Sequence, residues 1–67
     1  MDISKYLKHG KERTDIRIFE NWSYNVISTE TAIKRFKRNN EIKEDINIKK
    51  EDFEKWLISL GYSKIGE

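Results

Sequence analysis

"DIRIFENWSYNVI", residues 15–27, is the stretch on which the fold of this 67-residue chain turns. Ile16 and Ile18 alternate with polar neighbours, Trp22, Tyr24 and Val26 alternate again, and Glu20-Asn21 stands between the two runs. Alternation of period two, rich in β-branched and aromatic residues, is the pattern of two strands joined by a tight turn. A helix over the same residues would gather Ile16, Phe19, Val26 and Ile27 near one face and scatter Ile18, Trp22 and Tyr24 around the others. The spacing therefore predicts strands here, even though Glu-Asn lacks the glycine that two-residue hairpin turns favour.

The flanking segments are easier to read. Downstream, ISTETAIKRFKRNN (27–40) predicts a helix that Ser28 or Thr29 can cap, with Ile27 placed as a hydrophobic staple. Ala32, Ile33 and Phe36 mark its buried stripe, and Asn39-Asn40 ends it. Upstream, MDISKYLKHG (1–10) predicts a short helix capped by Asp2, with Ile3, Tyr6 and Leu7 on one face and Gly10 suited to a left-handed terminus. The polar KERTD (11–15) predicts a loop. Ile46 and Ile48 alternate as a short strand, and KEDFEKWLISLG (50–61) is the strongest helix. There Phe53, Trp56, Leu57 and Leu60 fall at i, i+3, i+4 and i+7, Glu51 can pair with Lys55, and Gly61 stops the helix. Tyr62 and Ile65 are placed to fold back over the core.

Together these segments predict one domain over residues 1–67 of the α+β class, three short helices packed on a small antiparallel sheet. Its expected core is Ile3, Leu7, Ile16, Ile18, Ile33, Phe36, Ile46, Ile48, Phe53, Trp56, Leu57 and Leu60. The alternative is an all-α domain of three or four helices, with residues 15–25 helical.

Composition narrows the chemistry. There is no Cys, which removes disulfides, thiol nucleophiles and Cys-based zinc sites, and the single His9 cannot build a His-rich metal site. The hydrophobic content of 36% supplies a small core despite 39% charged residues. No apolar run reaches spanning length and the N-terminus lacks a signal-peptide stretch, so the expectation is a soluble cytoplasmic protein without membrane contact. Net charge is +2, unevenly spread: residues 1–40 hold nine Lys/Arg against five Asp/Glu, and residues 41–67 hold five against seven. One basic side and one mildly acidic end are implied.

Three groups of residues could carry function. In KRFKR (34–38), Lys34, Arg35, Lys37 and Arg38 surround one phenylalanine. With Ile33 and Phe36 turned inward, the cations form an exposed stripe able to track phosphates; the plain alternative is a solvated face whose cations suit a helix C-terminus. The aromatics Phe19, Trp22 and Tyr24 could stack on bases, but a chain this small needs Phe19 and Trp22 for its core, leaving Tyr24 for stacking or partner contact. The carboxylates Glu41, Glu44, Asp45, Glu51, Asp52 and Glu54 lack calcium-loop spacing and are interleaved with lysines, which reads as surface pairing. His9, beside Gly10 at a helix end, has no orienting partner in the sequence. No catalytic residue, metal site or cofactor is therefore expected, and an enzyme is not.

The segment INIKKEDFEKWL (46–57) resembles the closing strand and helix of small excisionase-type winged-helix proteins. The resemblance implies DNA binding. Upstream the chain departs from that pattern, because residues 40–45 leave no space for both a recognition helix and a two-stranded wing. The leading functional expectation is a small non-enzymatic regulatory module that contacts nucleic acid, DNA in particular, through Lys34, Arg35, Lys37 and Arg38. The competing expectation is a protein-interaction module, an inhibitor or adaptor, without nucleic-acid contact.

Overall fold

A computed structural model describes residues 2–65. A short 3₁₀ turn at Ile3–Tyr6 is followed by three α-helices, α1 at Glu12–Ser23, α2 at Thr29–Asn39 and α3 at Lys50–Ser59. Helix α2 is the central element, packing against both α1 and α3. No described residue lies in a strand. The α+β expectation is thereby overturned, and the all-helical alternative describes the chain.

The correction centres on residues 15–27. Helix α1 buries Asp15, Ile18, Phe19 and Trp22, which stand at i, i+3, i+4 and i+7. The stripe is thus regular, but its first member is a carboxylate, and a count of apolar residues alone passes over it. Three residues of the strand pattern point outward instead: Ile16, Tyr24 and Val26 are exposed. KERTD, expected as a loop, supplies the first turn of α1, where Glu12 and Asp15 complement the helix dipole.

Elsewhere the local signals carry through. Ser28 caps α2, its side chain accepting from the Thr31 backbone N–H. Asp2 caps the 3₁₀ turn by accepting from the Ser4 N–H. That turn stops at Tyr6, so Leu7 is not held on the expected helical face and is exposed. Ile46 and Ile48 do pack inward, Ile48 buried and Ile46 half-buried, from a segment with no strand partner among the described residues. The strand expected there, and the closing strand of the winged-helix resemblance, are absent.

All three helices end in the same way. Asn25, Glu41 and Gly61 take left-handed φ values of 60°, 54° and 100°. Around each, the next N–H reaches back five residues: Val26 to Asn21, Ile42 to Lys37 and Tyr62 to Leu57, at 2.9, 2.9 and 3.1 Å. This is the Schellman closure, which satisfies carbonyls the last helical turn leaves open. Glycine adopts that conformation freely and asparagine tolerates it, whereas at Glu41 it is a local cost.

The core gathers where the helices meet. Ile3, Ala32, Phe36, Phe53 and Leu57 are fully buried, with Ile18, Phe19, Trp22 and Ile48 beside them. Phe36 lies 5.5 Å from Phe53 and 5.5 Å from the half-buried Trp56, both edge-on, the arrangement aromatic quadrupoles favour. Of the expected core, Leu7, Ile16 and Leu60 are exposed. Beyond Gly61 the chain returns along the end of α1. Tyr62 packs 5.5 Å from Phe19, and the Ile65 N–H donates to the Ser23 carbonyl at 2.9 Å.

Candidate functional site

The second half of α2 sets the charge. Its buried side is fixed by Ala32 and Phe36, one helical turn apart, so residues 34, 35 and 38 must face outward. Lys34, Arg35 and Arg38 are indeed exposed. Lys37 differs: it is half-buried, and its Nζ donates to the Glu44 carbonyl at 3.0 Å and to the Ile46 carbonyl at 2.6 Å. It ties the segment after α2 back onto the helix. Its charge is engaged with backbone carbonyls, whereas Arg35 and Arg38 are exposed.

Arg35 and Arg38 do not stand alone. With Asn39 they form one wall of a groove of about 540 Å³ between α1 and α2. The facing wall comes from α1, where Thr14, Arg17, Ile18 and Asn21 stand at i, i+3, i+4 and i+7, with Lys11 at the helix start. Lys34 is not among the lining residues. The groove thus brings together two of the four expected cations, Arg35 and Arg38, with two that were not expected, Lys11 and Arg17. A strand over 15–18 gives no reason to place Arg17 against α2. The helical spacing of Thr14, Arg17 and Asn21 is the signal that would have found it.

The electrostatics of this groove are one-sided. Four cations face one carboxylate, Glu41, and that carboxylate is paired with Lys8, outside the groove, at 3.1 Å. No described carboxylate forms an ion pair with Lys11, Arg17, Arg35 or Arg38. In the groove wall, Asn39 is held rigid, its Nδ2 donating to the Lys11 carbonyl at 3.1 Å and to Asp15 Oδ1 at 2.8 Å. These two bonds fix the distance between the groove walls at one end.

The other candidates fall out differently. Phe19 and Trp22 are buried and offer no face for stacking, while Tyr24 is exposed just past α1. Tyr24 lines a neighbouring shallow groove that also includes Arg17 and Asn21. Glu54 is half-buried and accepts from the Thr29 hydroxyl at 2.7 Å, which gives it a structural role. His9 is fully exposed, 3.8 Å from Glu12. No described helix is long and apolar enough to cross a membrane. No protein-family profile, curated protein or solved structure matches this chain.

Proposed function

We propose that this chain is a small non-enzymatic regulatory module that binds nucleic acid, DNA in particular, by holding phosphates on the basic side of α2. Arg35 and Arg38 are its principal contacts, and Lys34 flanks them. The observation that carries the reading is the exposure of these cations with no described carboxylate neutralising them. Free guanidinium groups match phosphate geometry in a bidentate manner and displace condensed counterions when they bind. Lys37 is left out of the contact set because two backbone carbonyls already hold its ammonium.

Reversing Arg35 and Arg38 to Glu tests the reading. The fold should persist, with a loss of about 0.3–1 kcal/mol at Arg38, where acid opposes the helix dipole. Binding of a mixed-sequence DNA, followed by fluorescence anisotropy at low salt, should disappear. In the parent, affinity should fall steeply with salt, and neutralising each phosphate contact should lower the log–log slope by roughly one unit. Binding that ignores salt would reject the reading.

A second reading has its own observation. Leu7, Ile16 and Leu60, all exposed, line a small apolar cleft with Phe19 and Trp56. An exposed apolar patch of this kind suits contact with a protein. A protein partner retained by the Arg35/Arg38 reversal and lost on Ile16→Glu would favour that class.

A further inference from the structure

Which nucleic acid, and how it lies on the molecule, can be argued from the groove between α1 and α2. We infer that the ligand is a duplex, and that one strand's sugar–phosphate backbone seats in this groove between two cationic rails. Arg35 and Arg38 of α2 form one rail, and Lys11 and Arg17 at α1 form the other. The inference rests on the proposed nucleic-acid reading and adds to it the second rail and the form of the ligand.

Three observations carry it. The cations of both helices line one open depression, so a phosphate chain laid along it meets charge from α1 as well as from α2, where a single helix face would offer only one row. Of the remaining polar lining, Thr14 and Asn21 are of the hydroxyl and amide type that accompanies Arg and Lys at phosphates, while Asn39, whose Nδ2 already donates to Lys11 and Asp15, shapes the wall. No aromatic residue lines the groove itself: Phe19 and Trp22 are buried in the core, and the exposed Tyr24 lies in the adjoining groove, a single ring and not a row of platforms. Sequence-tolerant binding of single strands draws on aromatic platforms for stacked bases, and this groove has none. A duplex keeps its bases stacked on one another and presents a regular phosphate chain, so it needs only what the groove supplies. Glu41 is the one opposing charge, held toward Lys8.

The test uses the full chain and four variants, titrated with a mixed-sequence DNA duplex and with either of its single strands. Circular dichroism melting checks that each variant is folded. For the parent, four phosphate contacts predict a loss of about 100-fold in duplex affinity between about 50 and about 200 mM salt, and weaker binding of the single strands. Lys11→Gln with Arg17→Gln should cut that loss to about 10-fold, and Arg35→Gln with Arg38→Gln should do the same. The control, Lys5→Gln with Arg13→Gln, removes equal charge outside the groove and should leave the salt dependence near that of the parent. Glu41→Gln should tighten duplex binding several-fold, a change in the direction that misfolding does not produce. If the α2 pair matters while the Lys11/Arg17 pair behaves like the control, the groove inference is wrong and the α2 reading stands. Equal or tighter binding of single strands overturns the duplex assignment. If the parent binds neither form at low salt, the nucleic-acid reading fails and this inference falls with it.

Discussion

The two ends of α2 are fastened to the rest of the molecule by different chemistry. At the N-terminal end the Trp22 indole Nε1 donates to Thr29 Oγ1 at 2.9 Å, and the Thr29 hydroxyl donates onward to Glu54 Oε2 at 2.7 Å. This relay joins all three helices, and its only charge sits at the half-buried Glu54. At the C-terminal end the charge is inside. Asp15 is buried, and it accepts from Asn39 Nδ2 at 2.8 Å and from Asn40 Nδ2 at 3.0 Å. Asn40 also donates to the Phe36 carbonyl and accepts from the Lys8 N–H, each close to 3 Å. No described cation is ion-paired with Asp15. A buried carboxylate is costly to desolvate, so the amides of Asn39 and Asn40, with the positive end of the α1 dipole, must offset that cost. One end is held by a relay whose charge lies at its half-buried edge; the other holds a buried charge whose stability depends on the donors around it.

That difference can be broken at its strongest point first. Asn40→Ala removes donors to Asp15 and to the Phe36 carbonyl, and strips the Lys8 N–H of its acceptor. Hydrogen bonds to charged groups contribute about 1.5–3 kcal/mol each, so a loss at or above that range is expected, a large part of a small domain's stability. Urea unfolding followed by circular dichroism measures it. A loss below about 1 kcal/mol would mean that water replaces the amide and that the C-terminal end is not tightly closed.

At the other end, Thr29→Val keeps the shape and removes the relay. Trp22 Nε1 then loses its acceptor inside the core and Glu54 loses a donor that solvent can replace. The expected loss is about 1–3 kcal/mol, the desolvation cost of one neutral buried group. If Thr29→Val costs more than Asn40→Ala, the contrast between the two ends is inverted.

The smallest effect sharpens the comparison by pH. Burial raises the pKa of Asp15 above the ordinary 3.8, while the bonds from Asn39 and Asn40 oppose the rise and the nearby Glu12 adds to it. The folded state therefore keeps this proton to higher pH than the unfolded chain does. The stability contributed by that difference is fully present below about 3.8 and is lost as pH rises through the raised folded-state value. Asp2 and Glu12, both exposed, have lowered values and act in the opposite sense, losing their contribution as pH falls. Asp15→Asn should change stability at neutral pH by about 1 kcal/mol or less, since one hydrogen bond is weakened while a buried charge is removed. The difference between parent and variant should grow in the parent's favour as pH is lowered toward 3.8. A difference that stays constant with pH would show that Asp15 titrates as it does in the unfolded chain.

The misreading of residues 15–27 has its physical origin in this same residue. A stripe of Asp15, Ile18, Phe19 and Trp22 is helical in spacing, yet a carboxylate enters the interior only if donors meet it there. Those donors stand 24 and 25 positions away in sequence, at the end of α2. Nothing local to DIRIFENWSYNVI announces them, so the alternating isoleucines and aromatics dominate the reading. Lys37 was misplaced for a related reason. Its spacing on α2 groups it with Lys34 and Arg38, and only the path of the chain after Glu41 brings the carbonyls of Glu44 and Ile46 to its ammonium.

What the sequence determines by itself lies within one or two helical turns. Ser28 caps α2 three residues from its partner, Phe36 and Leu57 sit on apolar stripes of the right period, and Gly61 closes α3 in a left-handed turn. The basic character of residues 34–38 is equally local, because an amphipathic helix must expose the positions between its buried ones. Tertiary structure alone decided which polar groups could be buried, which cation was engaged by backbone, and which face of α1 met α2. The reason is that a buried charge or a groove wall depends on groups supplied from elsewhere in the chain. Asp15 becomes an interior residue when Asn39 and Asn40 arrive, and Arg17 becomes part of a cationic groove when α2 is laid beside it.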